Sequence, residues 1–218
     1  MGNAVIMVPA IILLIAVLWF EKTENRSGLV PTKGLLSCLF VAAAVVQAPF
    51  SSTFSQLVIT GLIFCLGGDV FLALPQKRMF LLGLTSFLVG HVLYCIAFYL
   101  TAGVNTATWI GLGLTLLVSI GVYAWLRPHL GAMHGPVVAY IIVITVMVSG
   151  ASSVLGDLRL GEAGRIMLFA GASAFYFSDV FVARDRFMTE GFINRLFGLP
   201  LYYAGQFLIA FSLGELGQ

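Results

Sequence analysis

Long apolar runs broken by short polar or Gly/Pro stretches set the pattern of this chain. A bilayer core about 30 Å thick needs about 20 predominantly apolar residues per helix. Eight runs of that kind fall near residues 4–20, 34–50, 56–74, 79–100, 108–126, 136–155, 165–183 and 199–216. The second and eighth are the most interrupted, by Pro49 and by late glycines. Runs so closely spaced predict an all-α membrane protein, with eight transmembrane helices in one bundle. Residues 1–218 then form a single transmembrane domain, because loops this short leave no room for a soluble one.

Composition agrees with this reading and narrows it. Of 218 residues, 60% are hydrophobic and 9% charged, and the mean hydropathy is +1.05, which is too apolar for a soluble domain. The net charge of +2 is spread through the loops without forming a basic patch, so no nucleic-acid partner is expected. Cys38, Cys65 and Cys95 lie inside apolar runs and read as small hydrophobes, with neither a disulfide nor a metal site implied. The first run lacks a basic leader and a small-residue cleavage site, so it is expected to remain as the first span.

The distribution of Lys and Arg predicts orientation. Nine of the eleven, namely Lys22, Arg26, Lys33, Lys77, Arg78, Arg127, Arg184, Arg186 and Arg195, follow spans one, three, five and seven. Only Arg159 and Arg165 lie on the other side. The nine mark a cytoplasmic face and put both termini outside. Arg184, Asp185 and Arg186 read as a solvated loop.

Spans three and seven echo one another. "GLIFCLGGDVFLA" and "GASAFYFSDVFVA" both read Gly, seven residues, Asp-Val-Phe, an aliphatic residue and Ala, with Asp69 and Asp179 as their carboxylates. Gly61 and Gly68 in one copy match Gly171 and Ser178 in the other, each pair lying on the helical stripe beside its Asp. Small stripes let helices approach closely. A fainter match, "YCIAF" in span four and "FLIAF" in span eight, extends the echo to two parallel four-helix repeats.

Depth counting puts Asp69 and Asp179 ~8 Å inside the hydrocarbon boundary. The same half receives Lys33, Tyr140, Ser178, Tyr202, Tyr203 and Gln206, while His91 lies deeper with Tyr94 on its helical face. Each has a bland alternative. A tyrosine can pack or belong to an interfacial belt, Lys33 can snorkel to the headgroups, and His91 can be a core histidine. An intramembrane carboxylate can likewise only pair with a Lys or cap a broken helix, but such residues are expensive and usually functional. Convergence from several spans points to a cavity facing the cytoplasmic leaflet.

Two carboxylates in one dry pocket divide naturally into an acid and a base, a pairing suited to hydrolysis through an oxocarbenium-like state. No G-x-S-x-G elbow, HExxH helix or P-loop is present, and three histidines are too scattered for a metal site. Ser178 as a nucleophile would need a base from another helix.

Taken together, "GLIFCLGGDVFL", "FLLGLTSFLVGHVLYCIAF", "GASAFYFSDVFVARDRF" and "LYYAGQFLIAF" resemble the lysoplasmalogenase family, which includes the YhhN-type membrane proteins. The resemblance runs from about Lys33 to Phe211. It implies a cofactor-free enzyme that hydrolyses the vinyl ether bond of a lysophospholipid, lysoplasmalogen, to a fatty aldehyde and a glycerophospho-base. It also implies residence among lipids of a bacterial inner membrane, without an obligate protein partner. Motif positions carried over are Lys33, Gly68, Asp69, His91, Tyr94, Tyr140, Ser178, Asp179, Tyr203 and Gln206. A lipid or proton-coupled transporter using the paired Asp residues for ion binding is the rival reading, and an enzyme acting on another ether or ester lysolipid is a third.

Overall fold

The computed structural model describes residues 2–48 and 52–217, the side chains of residues 2, 3 and 77 aside. The described residues form eight helices: α1 (Gly2–Lys22), α2 (Arg26–Gln47), α3 (Thr53–Ala73), α4 (Lys77–Ala102), α5 (Thr106–Leu126), α6 (His134–Gly156), α7 (Glu162–Phe187) and α8 (Phe192–Glu215). All eight are long and apolar enough to cross a membrane, which makes this an integral membrane protein. The outer surface carries large apolar side chains such as Trp19, Trp109, Leu117 and Ile120, as a lipid-facing surface does.

The helices extend beyond the apolar runs at the ends rich in basic residues. α2 starts at Arg26, not near 34, because Asn25 Oδ1 caps it by accepting the Gly28 N–H at 3.1 Å. Pro31 sits in its second turn, where the missing N–H costs little more than one helix bond. α8 starts at Phe192, not near 199, and α7 runs on to Phe187, past 183. Arg184, Asp185 and Arg186 are therefore the last turn of α7, not a solvated loop. Asp185 accepts from the Gly191 N–H at 2.9 Å, Asn194 Nδ2 at 3.1 Å and Arg195 at 3.3 Å, so polar residues satisfy one another where a hydropathy count sees only a break. The expected tail of the second span at 49–50, including Pro49, lies outside the described residues.

Small residues fix two close antiparallel pairs. On α3 and α4, a Cβ built on Gly90 would sit 2.8 Å from the Gly61 carbonyl oxygen, and one on Gly61 would sit 2.5 Å from the Tyr94 ring. On α7 and α8, a Cβ at Gly171 or Gly205 would lie 2.7 Å from the other residue's carbonyl oxygen. One step nearer the aspartates, Gly83 faces the Gly68 oxygen and Gly198 faces the Ser178 oxygen. Both pairs thus share one register, with Gly83 and Gly90 matching Gly198 and Gly205. Tyr94 over Gly61 then matches Ile209 over Gly171. The YCIAF and FLIAF echo, which would align Tyr94 with Phe207, is out of that register and reflects apolar composition alone.

Packing between the halves follows the same exchange. α2 packs against α1, α3 and α8, and α6 packs against α5, α7 and α4. The last helix of each half closes on the second helix of the other. That arrangement brings α2, α3, α6, α7 and α8 around one polar interior.

Candidate functional site

A cavity of about 540 Å³ enters the bundle at the end where α1, α3, α5 and α7 finish. Asp69, Asp179, Lys33, Tyr140, Ser178 and Tyr202 all line it. Leu29, Phe80, Leu84, Phe87, Val137 and Ile144 supply apolar wall, while Glu21, Glu24, Arg26, Asp185, Arg186 and Arg195 ring the mouth.

The two carboxylates have different neighbourhoods. Asp69, 2% exposed, accepts Ser37 Oγ–H and Tyr202 O–H, each at 2.6 Å on Oδ2. Lys33 Nζ stands 3.9 Å from its Oδ1. Lys33 and Ser37 are four residues apart on α2 and so share a face, which turns both toward α3. Lys33 points inward to a carboxylate and does not snorkel to the headgroups; its 6% exposure leaves no room for that reading. Asp179 is half-buried, and Tyr140 from α6 donates to its Oδ2 at 2.7 Å. Among the described residues it has no ion-pair partner.

Four of the expected residues stand behind the cavity wall. His91 is fully buried in an aromatic box, its ring 4.4 Å from Phe175, 5.7 Å from Tyr140, 5.9 Å from Tyr94 and 6.3 Å from Phe87 between centroids. Neither of its ring nitrogens has a hydrogen-bond partner. Tyr94 O–H donates to Gln206 Oε1 at 3.2 Å, and the Tyr203 ring meets that of Tyr202 edge-on at 4.7 Å. Ser178 does line the cavity, yet its hydroxyl is engaged by the Phe175 carbonyl at 2.7 Å, as a helix-interior serine commonly is.

Three contributors were missed. Ser37 escapes a hydropathy count because an apolar run beginning near 34 leaves Lys33 outside it and hides the face the two share. Phe87 on α4 occupies the register position of Tyr202 on α8 and packs 5.8 Å from that ring. Arg195, read only as an orientation marker, reaches Glu190 at 2.9 Å, Glu21 at 3.1 Å and Asp185 at 3.3 Å. It ties α1, α7 and α8 together beside the mouth. Among the described residues no three His, Cys, Asp or Glu side chains converge as metal ligands.

Fold and site together define a class: an eight-helix membrane protein whose third and seventh helices each bring a carboxylate to one internal cavity. The chain belongs to the YhhN family, whose family model matches residues 29–213. It is similar to the lysoplasmalogenase TMEM86A of Bos taurus, 34% identical over 164 residues that cover 72% of this chain and 65% of that protein. The lysoplasmalogenase TMEM86A of Homo sapiens is 32% identical over 166 residues, with the same coverage. The match thus spans a little under two thirds of the length of these relatives. No solved structure matches the chain.

Proposed function

We propose that this protein is a lysoplasmalogenase, an intramembrane hydrolase that cleaves the vinyl ether of a lysophospholipid by acid–base catalysis with Asp69 and Asp179. The observation that carries the reading is that both carboxylates line one cavity whose lining residues gather at one end of the bundle. The names of the similar proteins support the substrate class.

One carboxyl protonates the vinyl ether β-carbon, and the other, as the anion, stabilises the oxocarbenium and guides water to the carbon next to the oxygen. The resulting hemiacetal collapses to an aldehyde and a free glycerol hydroxyl. Apolar wall such as Leu84 and Ile144 suits the alkyl chain. Lys33, Arg26 and Arg186 are cations that line the cavity and suit a phosphate, and Tyr140 and Tyr202 orient the carboxylates. His91, Tyr94, Tyr203 and Gln206 support that wall from behind. By the positive-inside rule the mouth faces the cytoplasmic leaflet and both termini lie outside. A single scissile bond just beneath the headgroups suits a cavity entered from one end better than it suits a carrier that must open to both sides.

The test is aldehyde release from a defined lysoplasmalogen by purified protein in detergent. Asp69→Asn and Asp179→Asn are each expected to lose about 100-fold or more in turnover with the elution profile unchanged. Near-normal turnover by either variant excludes the two-carboxylate scheme. Absence of product from the wild-type protein, with uptake of the lipid into sealed vesicles instead, means a transporter.

A further inference from the structure

Resting on the hydrolytic reading above, we propose that the two carboxyls have fixed duties: Asp179 is the acid that protonates the vinyl ether carbon, and Asp69 is the anion that receives the proton of the attacking water.

The geometry around Asp69 is that of an anion site. Ser37 and Tyr202 both donate O–H to the same oxygen at 2.6 Å, two donors converging as they do on an anion. Lys33, with only donors to offer, faces the other oxygen at 3.9 Å. Protonating Asp69 would leave that buried ammonium without its counter-charge, an expensive change in a site where Lys33 is 6% exposed. Nothing comparable surrounds Asp179. Among the described residues its one partner is the Tyr140 hydroxyl and no cation pairs with it, so holding a proton strands no charge. A reaction that needs one acid and one base, with Asp69 built as the base, leaves the acid's role to Asp179.

Access to the cavity divides the same way. Transfer to carbon requires the acid's O–H to touch the substrate itself, and Asp179 is half-buried with its face to the cavity. Asp69, at 2% exposure, is reached by something small. Water is small enough; a lipid chain is not.

The protons balance under this assignment. Asp179 gives its proton to the β-carbon, the C=C electron pair forms the new C–H bond, and the neighbouring carbon becomes the oxocarbenium. Water adds there and passes a proton to Asp69, giving a neutral hemiacetal. As the hemiacetal collapses, its hydroxyl proton goes to Asp179 and Asp69 returns its proton to the departing glycerol oxygen. The C–O bond breaks, one water has been consumed, and both carboxyls are back in their starting states.

The assignment is read directly by infrared spectroscopy of the reconstituted protein at neutral pH, with no substrate present. A protonated-carboxyl C=O band is expected in the wild type and in Asp69→Asn, and is expected to be lost in Asp179→Asn. Two milder variants give the same answer without touching either Asp: Tyr140→Phe should move the band's frequency, because its owner loses a hydrogen bond, and Tyr202→Phe should leave it in place. A band that vanishes in Asp69→Asn, or that moves in Tyr202→Phe and not in Tyr140→Phe, reverses the roles and overturns the proposal. Failure of the hydrolytic reading looks different: the band belongs to Asp179, yet the wild type releases no aldehyde.

Discussion

The two halves of this protein share a helical register and differ in what they place beside their carboxylates. On α3 and α7 the small stripe, the aspartate and the partner helix recur at matching positions, down to Gly61 over Gly90 and Gly171 over Gly205. Around that shared frame the polar groups diverge. The first half surrounds Asp69 with its own Lys33 and Ser37 and borrows Tyr202 from the second, whereas among the described residues Asp179 has Tyr140 alone. The register match of Tyr202 on α8 is Phe87 on α4, which has no hydroxyl to return the favour to Asp179. A shared helical register thus carries two unlike acids. Repeated packing sets their common depth, and a few unrepeated side chains set their difference.

The largest expected effect comes from removing the cation that makes the difference. Lys33→Met leaves Asp69 buried without its counter-charge, and breaking a buried pair in this way costs about 3 kcal/mol. The drop should appear as a lower midpoint of thermal unfolding in detergent, with aldehyde release reduced as well. The double variant Lys33→Met/Asp69→Asn should recover most of the stability and none of the turnover. If Lys33→Met unfolds like the wild type, the contrast between the two carboxylates is not electrostatic.

A second comparison concerns the shared frame. A Cβ at Gly171 or Gly205 meets backbone, which cannot swing aside as a side-chain tip can. Gly171→Ala and Gly205→Ala are each expected to destabilise by about 1–3 kcal/mol through forced separation of α7 and α8. Gly90→Ala, which meets the Gly61 carbonyl, should behave alike in the first half. Gly113→Ala on α5, with nothing within 4 Å of its Cβ, should be neutral or gain up to about 1 kcal/mol in helix propensity. Unequal losses at Gly90 and Gly205 would show that the repeats share their sequence pattern without sharing their packing.

Much of this was legible in the residues. Eight spans were, because hydrocarbon demands unbroken apolar length. That Asp69 and Asp179 would share a cavity was, because a carboxylate within such a run needs a reason to be there. The helix ends were not: Asp185, Asn194 and Arg195 satisfy each other across α7 and α8, and pairing between segments is invisible to a linear hydropathy count. His91 and Gln206 show a different limit. They occupy matching register positions, and both stand behind the cavity wall, since counting residues along a helix says little about position across the bundle. The inward turn of Lys33 is hidden in the sequence because the polar first turns of α2, from Arg26, do not read as span.

The hydroxyls around the two acids separate next. Each donates to a carboxyl, and hydrogen bonds to charged groups contribute about 1.5–3 kcal/mol, against about 1 kcal/mol for neutral ones. If Asp69 is the anion, Tyr202→Phe should slow turnover by about 10-fold or more, and Ser37→Ala should do the same. Tyr140→Phe should cost less, about 5-fold, if its acceptor is neutral at rest as proposed. The measurement is kcat for aldehyde release, with KM checked for each variant. Equal losses at Tyr140 and Tyr202 would erase the distinction between the sites.

The smallest effect lies at the far end of the bundle, where the halves differ in charge and not in chemistry. The α6–α7 turn is held by Asp157, which accepts from the Arg159 backbone N–H at 3.1 Å, from Nε at 2.8 Å and from Nη2 at 2.7 Å. Hydrogen bonding to that guanidinium holds the Asp157 carboxyl low, at about 2. The corresponding α2–α3 connection, residues 47–53, has no charged residue in its sequence. A carboxyl depressed on folding stabilises the fold while ionised in both states and loses that contribution as pH falls from its unfolded value near 4 toward about 2. Arg159 is largely exposed, so solvent screening keeps the effect small. Asp157→Asn should therefore unfold on the order of 1 °C lower than the wild type between pH 5 and 8. The gap should close below pH 4 and narrow in high salt. A gap that stays constant down to pH 2 would mean that turn geometry, and not charge, distinguishes this connection from its counterpart in the first half.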